Sequence, residues 1–404
     1  MAIRSGSTAF QRRVSPYERW LLAVPESQIE IIQLVVEGAG SVALEELTAA
    51  VAIASEANPG VRLERQGGKF VDSRNTPPVR QVERVSADPG QRVLDMPELQ
   101  DILPTGAGPK CEVLLVASSS NSASTLVFRG AHMILDGPGL EMWASDIFRV
   151  LRGEQPLGAP DTTSDKDILR KEKYEGEDDT RRTRMEFRSL FEPHPTTTPR
   201  TLWRRRTVDG YHPALTATIA TTIAELADVQ TSRFSIPVDL RRHRPDVRSN
   251  ANMTNLLILD VERGQTWEES HERLMRMLAA NRDLLSQIAP VSLKQPIPIM
   301  KLPIPVLRVL NGLISAEAAK DSTYNATAGI SHLGRLDLLD YCAPSFEATT
   351  VYVGSTHPPL RPTEVEIVEC GGRTEIILSE FDGPGVAERA DTVLDRIEEV
   401  LEKA

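Results

Sequence analysis

The stretch that decides the fold is Gly130-Ala131-His132-Met133-Ile134-Leu135-Asp136-Gly137. A β-branched, apolar run at 124–132 leads into the histidine and predicts a strand. After Asp-Gly, apolar residues recur at helical spacing and predict a helix that starts near Pro138. A histidine at the end of a strand and beside a helix N-terminus is suited to act as a general base near a developing anion. The same pattern also fits a histidine with a purely structural role.

The first half of the chain predicts further alternation of strands and helices. The predicted elements are a strand at 28–36, a helix at 42–56, a hairpin at Gly67-Gly68 and strands at 111–117 and 124–132. β-Branched runs indicate the strands, and apolar residues at helical spacing indicate the helix. Mixed segments of this kind predict an α+β fold.

A charged stretch separates this half from the second. In residues 161–188, 17 of 28 side chains are charged, so we expect a solvated crossover, helical in part at 164–175. Elements resume afterwards, with predicted strands at 232–237, 253–262, 327–332, 348–354, 363–369 and 373–380, and helices at 266–287 and 385–402. The apolar segment 295–315 predicts a helix after Pro305 that is buried against a pocket, with a membrane-facing patch as the alternative.

Composition excludes several classes of protein. The chain has 404 residues, with 46 Lys and Arg against 57 Asp and Glu, and its net charge of -11 argues against a nucleic-acid partner. It shows no secretory signal and no apolar run long enough for a membrane span. Its three cysteines form no CxxC pair and its histidines have no ligand spacing, so we expect neither disulfides nor a metal. We expect a cytoplasmic monomer.

The motif and four other segments carry a family resemblance. They are SPYERWLLAV at 15–24, ALEELTAAVAIASEANPGVRLE at 43–64, SIPVDLRRH followed by NANMTNLL at 235–257, and ISHLGRLDL at 330–338. HMILDG resembles the HHxxxDG signature of the condensation-domain superfamily. That superfamily contains peptide-synthetase condensation domains, polyketide-associated acyltransferases, alcohol acetyltransferases and the HxxxD acyltransferases of plants.

The resemblance implies a fold and a reaction. The fold is two lobes of the chloramphenicol-acetyltransferase type in a V arrangement with a central tunnel. We place the N-terminal lobe at 1–160, a charged crossover linker at 161–200 and the C-terminal lobe at 201–404. His132 would take a proton from a hydroxyl or amine as that group attacks an acyl thioester. The N–H of Gly137 would stabilise the resulting oxyanion.

The resemblance also assigns supporting residues. Asp136 would shape the histidine loop through a pair with an arginine of the second lobe, and Arg241 matches that arginine best, with Arg242 as the alternative. Asn255, Ser331 and His332 fall at positions that would line the tunnel. A solvated basic turn at 241–244 and an ordinary strand residue at position 255 are the competing interpretations.

Two arginine-rich runs stand out on an acidic chain. Residues 204–206 and 241–244 would suit the phosphates of coenzyme A or an acidic carrier protein, or they simply form solvated faces.

The sequence departs from the family at Ala131, which stands where the first histidine of HHxxxDG would be, and it lacks the DFGWG motif of the plant branch. The sequence shows no adenylation or carrier segment, so we expect a stand-alone acyltransferase of secondary metabolism with no tightly bound cofactor. Its co-substrate would be an acyl-CoA or phosphopantetheine-carrier thioester, and its partners a small-molecule acceptor and an acyl carrier protein. The SHLG segment favours a hydroxyl acceptor. The alternatives are cyclisation, epimerisation or binding of an assembled product, and a non-catalytic partner protein.

Overall fold

A computed structural model describes most of the chain in full atomic detail. The described residues are 9–25, 28–83, 93–117, 123–172, 174, 187–188, 190–191, 200–227, 229–285, 302–321, 323–357 and 362–403. None of the helices within them combines the length and the apolar character that crossing a bilayer requires.

The first large sheet has five strands. They are β2 (Ile31–Gly40), β5 (Val79–Glu83), β6 (Cys111–Ala117), β7 (Ala123–Ala131) and β14 (Phe346–Ser355), in the spatial order β14-β2-β7-β6-β5. Strand β5 runs parallel to β6, and the other neighbours are antiparallel. Strand β7 is central and buried along almost its whole length, which fixes the position of the residue that follows it.

The second large sheet has six strands in the order β11-β10-β13-β15-β16-β9. Their bounds are β9 (Thr201–Asp209), β10 (Thr231–Asp239), β11 (Thr254–Glu262), β13 (Ala328–Leu336), β15 (Thr363–Cys370) and β16 (Arg373–Phe381). Strand β13 runs parallel to both of its neighbours and carries a β-bulge between His332 and Gly334. Small ladders join β1 (Gln11–Arg13), β3 (Leu63–Gln66) and β4 (Lys69–Asp72), and β8 (Phe187–Arg188) with β12 (Thr323–Tyr324).

Helices cover one face of each sheet. Their bounds are α1 (Pro16–Leu21), α2 (Leu44–Ala57), α3 (Gly137–Leu151), α4 (Asp165–Lys171), α5 (Leu215–Leu226), α6 (Trp267–Ala279), α7 (Ile304–Asp321) and α8 (Val386–Leu401). Trp143 and Phe148 of α3 pack in the core of the first sheet, whereas Ile219 of α5 and Leu394 of α8 pack in the core of the second. A third cluster, with Trp203 and Tyr352, lies between the two sheets. The α+β prediction is confirmed.

Strand β14 lies within the predicted C-terminal lobe in sequence but belongs to the first sheet in the structure. It follows residue 201 by almost 150 positions in the printed sequence, yet it pairs with β2 at the edge of the first sheet. Sequence spacing cannot show this, because pairing depends on which edge the returning chain reaches. The first lobe is therefore completed by a strand from the predicted second lobe.

Two predicted helices need correction. Helix α6 ends at Ala279 instead of reaching 287, because Asn281 adopts a left-handed conformation with φ +53° and a short 3-10 turn follows at Arg282–Leu284. Helix α7 does form after residue 303, but it is buried on one face instead of all round: Leu307 is fully buried, whereas Val309 and Leu313 are 66% and 65% exposed. Residues 286–301 lie outside the described part of the chain.

Candidate active site

His132 occupies the first position after the buried strand β7. Its N–H donates to the carbonyl oxygen of Glu30 at 2.9 Å, which continues the ladder between β2 and β7 by one residue. The loop then turns tightly, because the N–H of Ile134 donates to the carbonyl of Ala131 at 3.0 Å. The histidine is therefore held at the end of a central strand by the continued β2–β7 ladder.

The hydrogen bonds of the imidazole fix its tautomer. Nδ1 lies 3.0 Å from the carbonyl oxygen of Leu135. Because a carbonyl oxygen only accepts, Nδ1 must carry the hydrogen, and in the neutral ring Nε2 keeps a lone pair. The side chain is 11% exposed. This arrangement makes Nε2 the atom that can accept a proton.

Three other side chains surround this histidine. Oε1 of Glu30 lies 3.9 Å from Nε2, and the ring of Tyr17, on α1, meets the imidazole edge-on with centroids 5.9 Å apart. Nδ2 of Asn252 donates to the carbonyl oxygen of His132 at 2.6 Å. Asn252 comes from the second half of the chain, so both halves position the histidine.

Asp136 is the N-cap of α3 and the centre of a buried hydrogen-bond network. Its Oδ1 accepts from the N–H of Gly139 at 2.8 Å, which satisfies one of the free donors of the first helical turn. Oδ2 accepts from the N–H of Met253 at 2.8 Å and from the hydroxyl of Thr254 at 3.2 Å. The carboxylate therefore joins the histidine loop to the start of β11.

Arg241 forms the bidentate pair with Asp136 that the sequence predicts. Both terminal nitrogens lie 3.0 Å from the two carboxylate oxygens. The guanidinium also donates to the carbonyls of Ser249 and Ala251, each at 2.8 Å, and to Asp239 at 2.8 Å. Burial lowers the pKa of Arg241, but the charges of Asp136 and Asp239 outweigh it and the pKa is raised. Because of these hydrogen bonds, the guanidinium of Arg241 has little freedom to move and holds Asp136 in place.

The start of α3 leaves one backbone donor uncommitted to the helix. The N–H of Gly137 is at the first helical position, where no carbonyl four residues earlier lies within the helix. Pro138 has no N–H, and that of Gly139 is bound to Asp136. A Cβ on Gly137 would lie 3.3 Å from Leu333 of β13, so the second sheet packs directly against this helix start. The role of Gly137 as an oxyanion donor stays a prediction.

The structure separates the three predicted tunnel residues. Asn255 is 3% exposed, and its amide donates to the carbonyls of Asp283 and Leu285 at 2.7 Å, so it anchors the turn after α6. His332 shares the face of β13 with Ile330 and lies 3.5 Å from Glu369. Both side chains have partners on the helix-covered face of the second sheet, and their placement in a tunnel stays a prediction.

Ser331 lies on the opposite face of β13, between Ile330 and His332 in sequence, and is partly buried. Its neighbour across the ladder is Glu366, which is buried on the same face. The placement of Ser331 in a tunnel stays a prediction.

The two arginine-rich runs are bound to carboxylates of the same chain. Arg204 and Arg206 face Asp391 and Asp395 of α8, and Arg205 faces Glu37 and Glu375. In the second run, the partners are Asp136, Asp283 and Asp246. These internal pairs argue against either run as a ready phosphate site.

Glu30, Tyr17 and Asn252 were not identified from the sequence. Glu30 immediately precedes β2 and belongs to no motif, so only the pairing of β2 with β7 brings it to the histidine. Ala131 is fully buried and, by strand alternation, its side chain points away from the face that carries His132. The described residues contain no group of three or more His, Cys, Asp or Glu that could hold a metal ion.

Comparison with known proteins identifies the fold. No protein-family model and no curated protein matches the sequence. Among solved structures, the chain is similar to a mutant starter condensation domain of the rhizomide synthetase RzmA in complex with C8-CoA, with 16% identity, a TM-score of 0.65, and coverage of 98% of this chain and 95% of that one. It is similar to the condensation domain of the Monacolin K polyketide synthase MokA, with 12% identity, a TM-score of 0.64, and coverage of 98% and 97%.

A third similar structure is polyketide synthase associated protein 5 from Mycobacterium tuberculosis, with 14% identity, a TM-score of 0.62, and coverage of 96% of both chains. An epimerization domain and a cyclization-docking bidomain also match over nearly the whole of this chain. At these identities the similarity shows a shared fold, which spans this chain from end to end.

Proposed function

We propose that this chain, which has the condensation-domain fold, transfers an acyl group from a thioester to a hydroxyl or amine acceptor. One observation carries the proposal: Nδ1 of His132 is bound to a carbonyl, which leaves the Nε2 lone pair available beside a helix N-terminus. A buried base of fixed tautomer next to an oriented backbone donor is the arrangement that acyl transfer requires.

The proposed reaction needs no covalent enzyme intermediate. Nε2 of His132 takes the proton from the acceptor as its oxygen or nitrogen attacks the thioester carbonyl carbon. The carbonyl oxygen becomes an oxyanion, which the N–H of Gly137 would stabilise. When the C=O bond forms again, the C–S bond breaks and the sulfur takes the proton from Nε2. The products are the acylated acceptor and a free thiol, and the histidine returns to its initial state.

Asp136 and Arg241 support this reaction without touching the reacting atoms. Their bidentate pair fixes the end of the histidine loop against the second half of the chain. A general base must lie within hydrogen-bond reach of the proton that it removes, so a small shift of this loop would be costly.

The donor is proposed to be an acyl-CoA or a carrier-bound phosphopantetheine thioester. The similar RzmA domain is in complex with C8-CoA, which supports this class of donor. Other similar domains belong to peptide and polyketide synthases, which supports a place in natural-product biosynthesis. A hydroxyl acceptor remains the first choice, on the sequence ISHLGRLDL alone.

The test is a screen of octanoyl-CoA and octanoyl-pantetheine against alcohols and amines, read by product mass and by thiol release. We expect His132→Ala to lower the rate by about 10²- to 10⁴-fold. His212→Ala is the matched control, because His212 follows β9 of the second sheet and its Nε2 lies 3.1 Å from the carbonyl oxygen of Asp209. Full activity of His132→Ala would contradict the proposal. Inversion of a stereocentre without acyl transfer would instead support an epimerase.

A further inference from the structure

We infer that Glu30 is a positioning residue that stabilises the imidazolium formed when His132 accepts a proton. This inference rests on the proposed function, since it concerns the same base. It adds a charged partner that no sequence motif indicates.

The backbone of Glu30 is held from two sides. Its carbonyl oxygen accepts from the N–H of His132 at 2.9 Å. On the other side, the hydroxyl of Thr356 accepts from the N–H of Ile31 at 2.8 Å and donates to the carbonyl of Ile29 at 3.2 Å. The residue between these two contacts therefore has little freedom to move away from the histidine.

The side chain of Glu30 is directed to the catalytic side of the imidazole. Oε1 lies 3.9 Å from Nε2, whereas Nδ1 is bound to Leu135. Glu30 is 5% exposed and His132 is 8% exposed, so water screens this pair weakly. At this distance in a buried site, the negative charge of the carboxylate interacts strongly with a positive charge on the ring.

The separation of 3.9 Å fits a resting state in which no hydrogen bond joins the two groups. A carboxylate only accepts and a neutral Nε2 only accepts, so they cannot share a hydrogen. Once Nε2 takes the acceptor's proton, the ring becomes a cation, and the carboxylate 3.9 Å away stabilises that charge while the N–H stays directed at the reacting atoms and later returns its proton to the sulfur. The attraction is therefore created during the reaction and is absent before it, which is the condition for lowering a barrier.

The experiment measures kcat and KM of the full chain with octanoyl-CoA and the best acceptor of the screen. We expect Glu30→Gln to lower kcat by about 10²-fold and to change KM little, because the lost interaction forms only in the transition state. Glu30→Asp keeps the charge and should recover part of the rate. Glu37→Gln is the matched control. It also removes a carboxylate from this stretch of chain, but the Glu37 carboxylate contacts Arg205 and not His132.

A double-mutant comparison separates this inference from a general effect on structure. If Glu30 acts through His132, Glu30→Gln should change the residual rate of His132→Ala less than about threefold. An unchanged kcat in Glu30→Gln, or an undiminished effect in the His132→Ala background, would overturn the inference. If His132→Ala itself keeps the full rate, the proposed function fails first. Should Glu30→Gln not fold, Glu30→Ala replaces it as the variant without the charge, and a kcat equal to that of the parent would overturn the inference.

Discussion

The two arginine-rich runs look alike in sequence, but their side chains contact different partners in different parts of the molecule. Residues 204–206 lie on strand β9, so consecutive side chains point to opposite faces. Arg204 and Arg206 meet α8 at the surface, whereas Arg205 points inwards between the two sheets. Residues 241–244 lie in and after a short 3-10 turn, which directs Arg241 to Asp136 in the histidine loop.

The difference shows that local backbone geometry decides the partner of an arginine. In the strand, the single inward arginine meets Glu37, Glu375 and the ring of Tyr352, with its guanidinium 4.0 Å from the ring centre. In the turn, the buried Arg241 meets two carboxylates and two backbone carbonyls. Both buried arginines join the two halves of the molecule, but only Arg241 touches the histidine loop.

The largest expected effect comes from Arg241→Met. Removing one partner of a buried ion pair typically costs roughly 3–5 kcal/mol of unfolding free energy. The loop that Asp136 anchors would also lose its support, so we expect activity to fall at least about 10²-fold. Denaturant unfolding and steady-state kinetics measure the two effects. Arg244→Met is the control, because Arg244 pairs with its near neighbour Asp246 and not with Asp136. Equal kinetic constants in both variants would contradict the claim that Arg241, unlike Arg244, supports the histidine loop.

Arg205→Met should separate stability from activity. Arg205 is mostly buried and contacts the fully buried Glu375 at 2.9 Å, so we expect a loss of roughly 2–3 kcal/mol in unfolding free energy. The pair lies away from the histidine loop, so kcat of the folded enzyme should stay unchanged. A loss of kcat without a loss of stability would show that the two buried arginines are not distinct in function.

Glu366 is a buried carboxyl group that is hydrogen-bonded to Ser355 and Ser379 instead of to an arginine. Burial, aided by the charge of Glu364, raises the pKa of Glu366 to about 8. Between pH 4.5 and about 8, the carboxyl group of Glu366 is therefore protonated in the folded state and ionised in the unfolded state. Stability should therefore fall as pH rises from about 4.5 to about 8, and the change should then level off.

Glu366→Gln removes this dependence, because the neutral amide can still bond to Ser379 and to the N–H of Ser355. We expect a gain of roughly 2–3 kcal/mol at pH 8 and little change at pH 4.5. Thermal unfolding across this pH range measures it. A variant that tracks the parent protein at every pH would contradict the prediction.

The smallest effect is expected for Arg206→Met. This side chain faces Asp395 and Glu398 on α8 at the surface, where ion pairs contribute less than about 1 kcal/mol. The change in midpoint of chemical denaturation should be close to the error of the measurement. A loss as large as that of Arg205→Met would mean that the burial of the partner carboxylate, 0% exposed for Glu375 and 64% exposed for Asp395, does not separate the members of the run.

The sequence predicted the core of the site well because its parts are local. A strand, a histidine, an Asp-Gly turn and an amphipathic helix follow one another, and short-range patterns determine each of them. The Asp136–Arg241 pair is long-range, and it was predicted through the family resemblance and not through spacing. The structure confirms that pair, while the catalytic role of His132 stays a prediction.

Other features depend on contacts that the sequence does not display. Helix α5 was not predicted, because LTATIATTIAEL is rich in β-branched residues that disfavour helices, yet almost all of the helix is buried and tertiary packing overrides that tendency. Glu30 could not be found, because it meets His132 only through the pairing of β2 with β7. The hydrogen bond of the Asn255 amide to the turn after α6 was likewise not predicted.

The edge strand Phe346–Ser355 has a consequence for synthesis of the protein on the ribosome. Until residue 355 has left the exit tunnel, the edge of Ile31–Gly40 that this strand covers has no partner. An open edge of this kind is a template for pairing with other chains. The nascent chain therefore passes through a long period in which its first sheet is exposed to aggregation, and a truncation before residue 346 should need chaperones far more than the full-length protein.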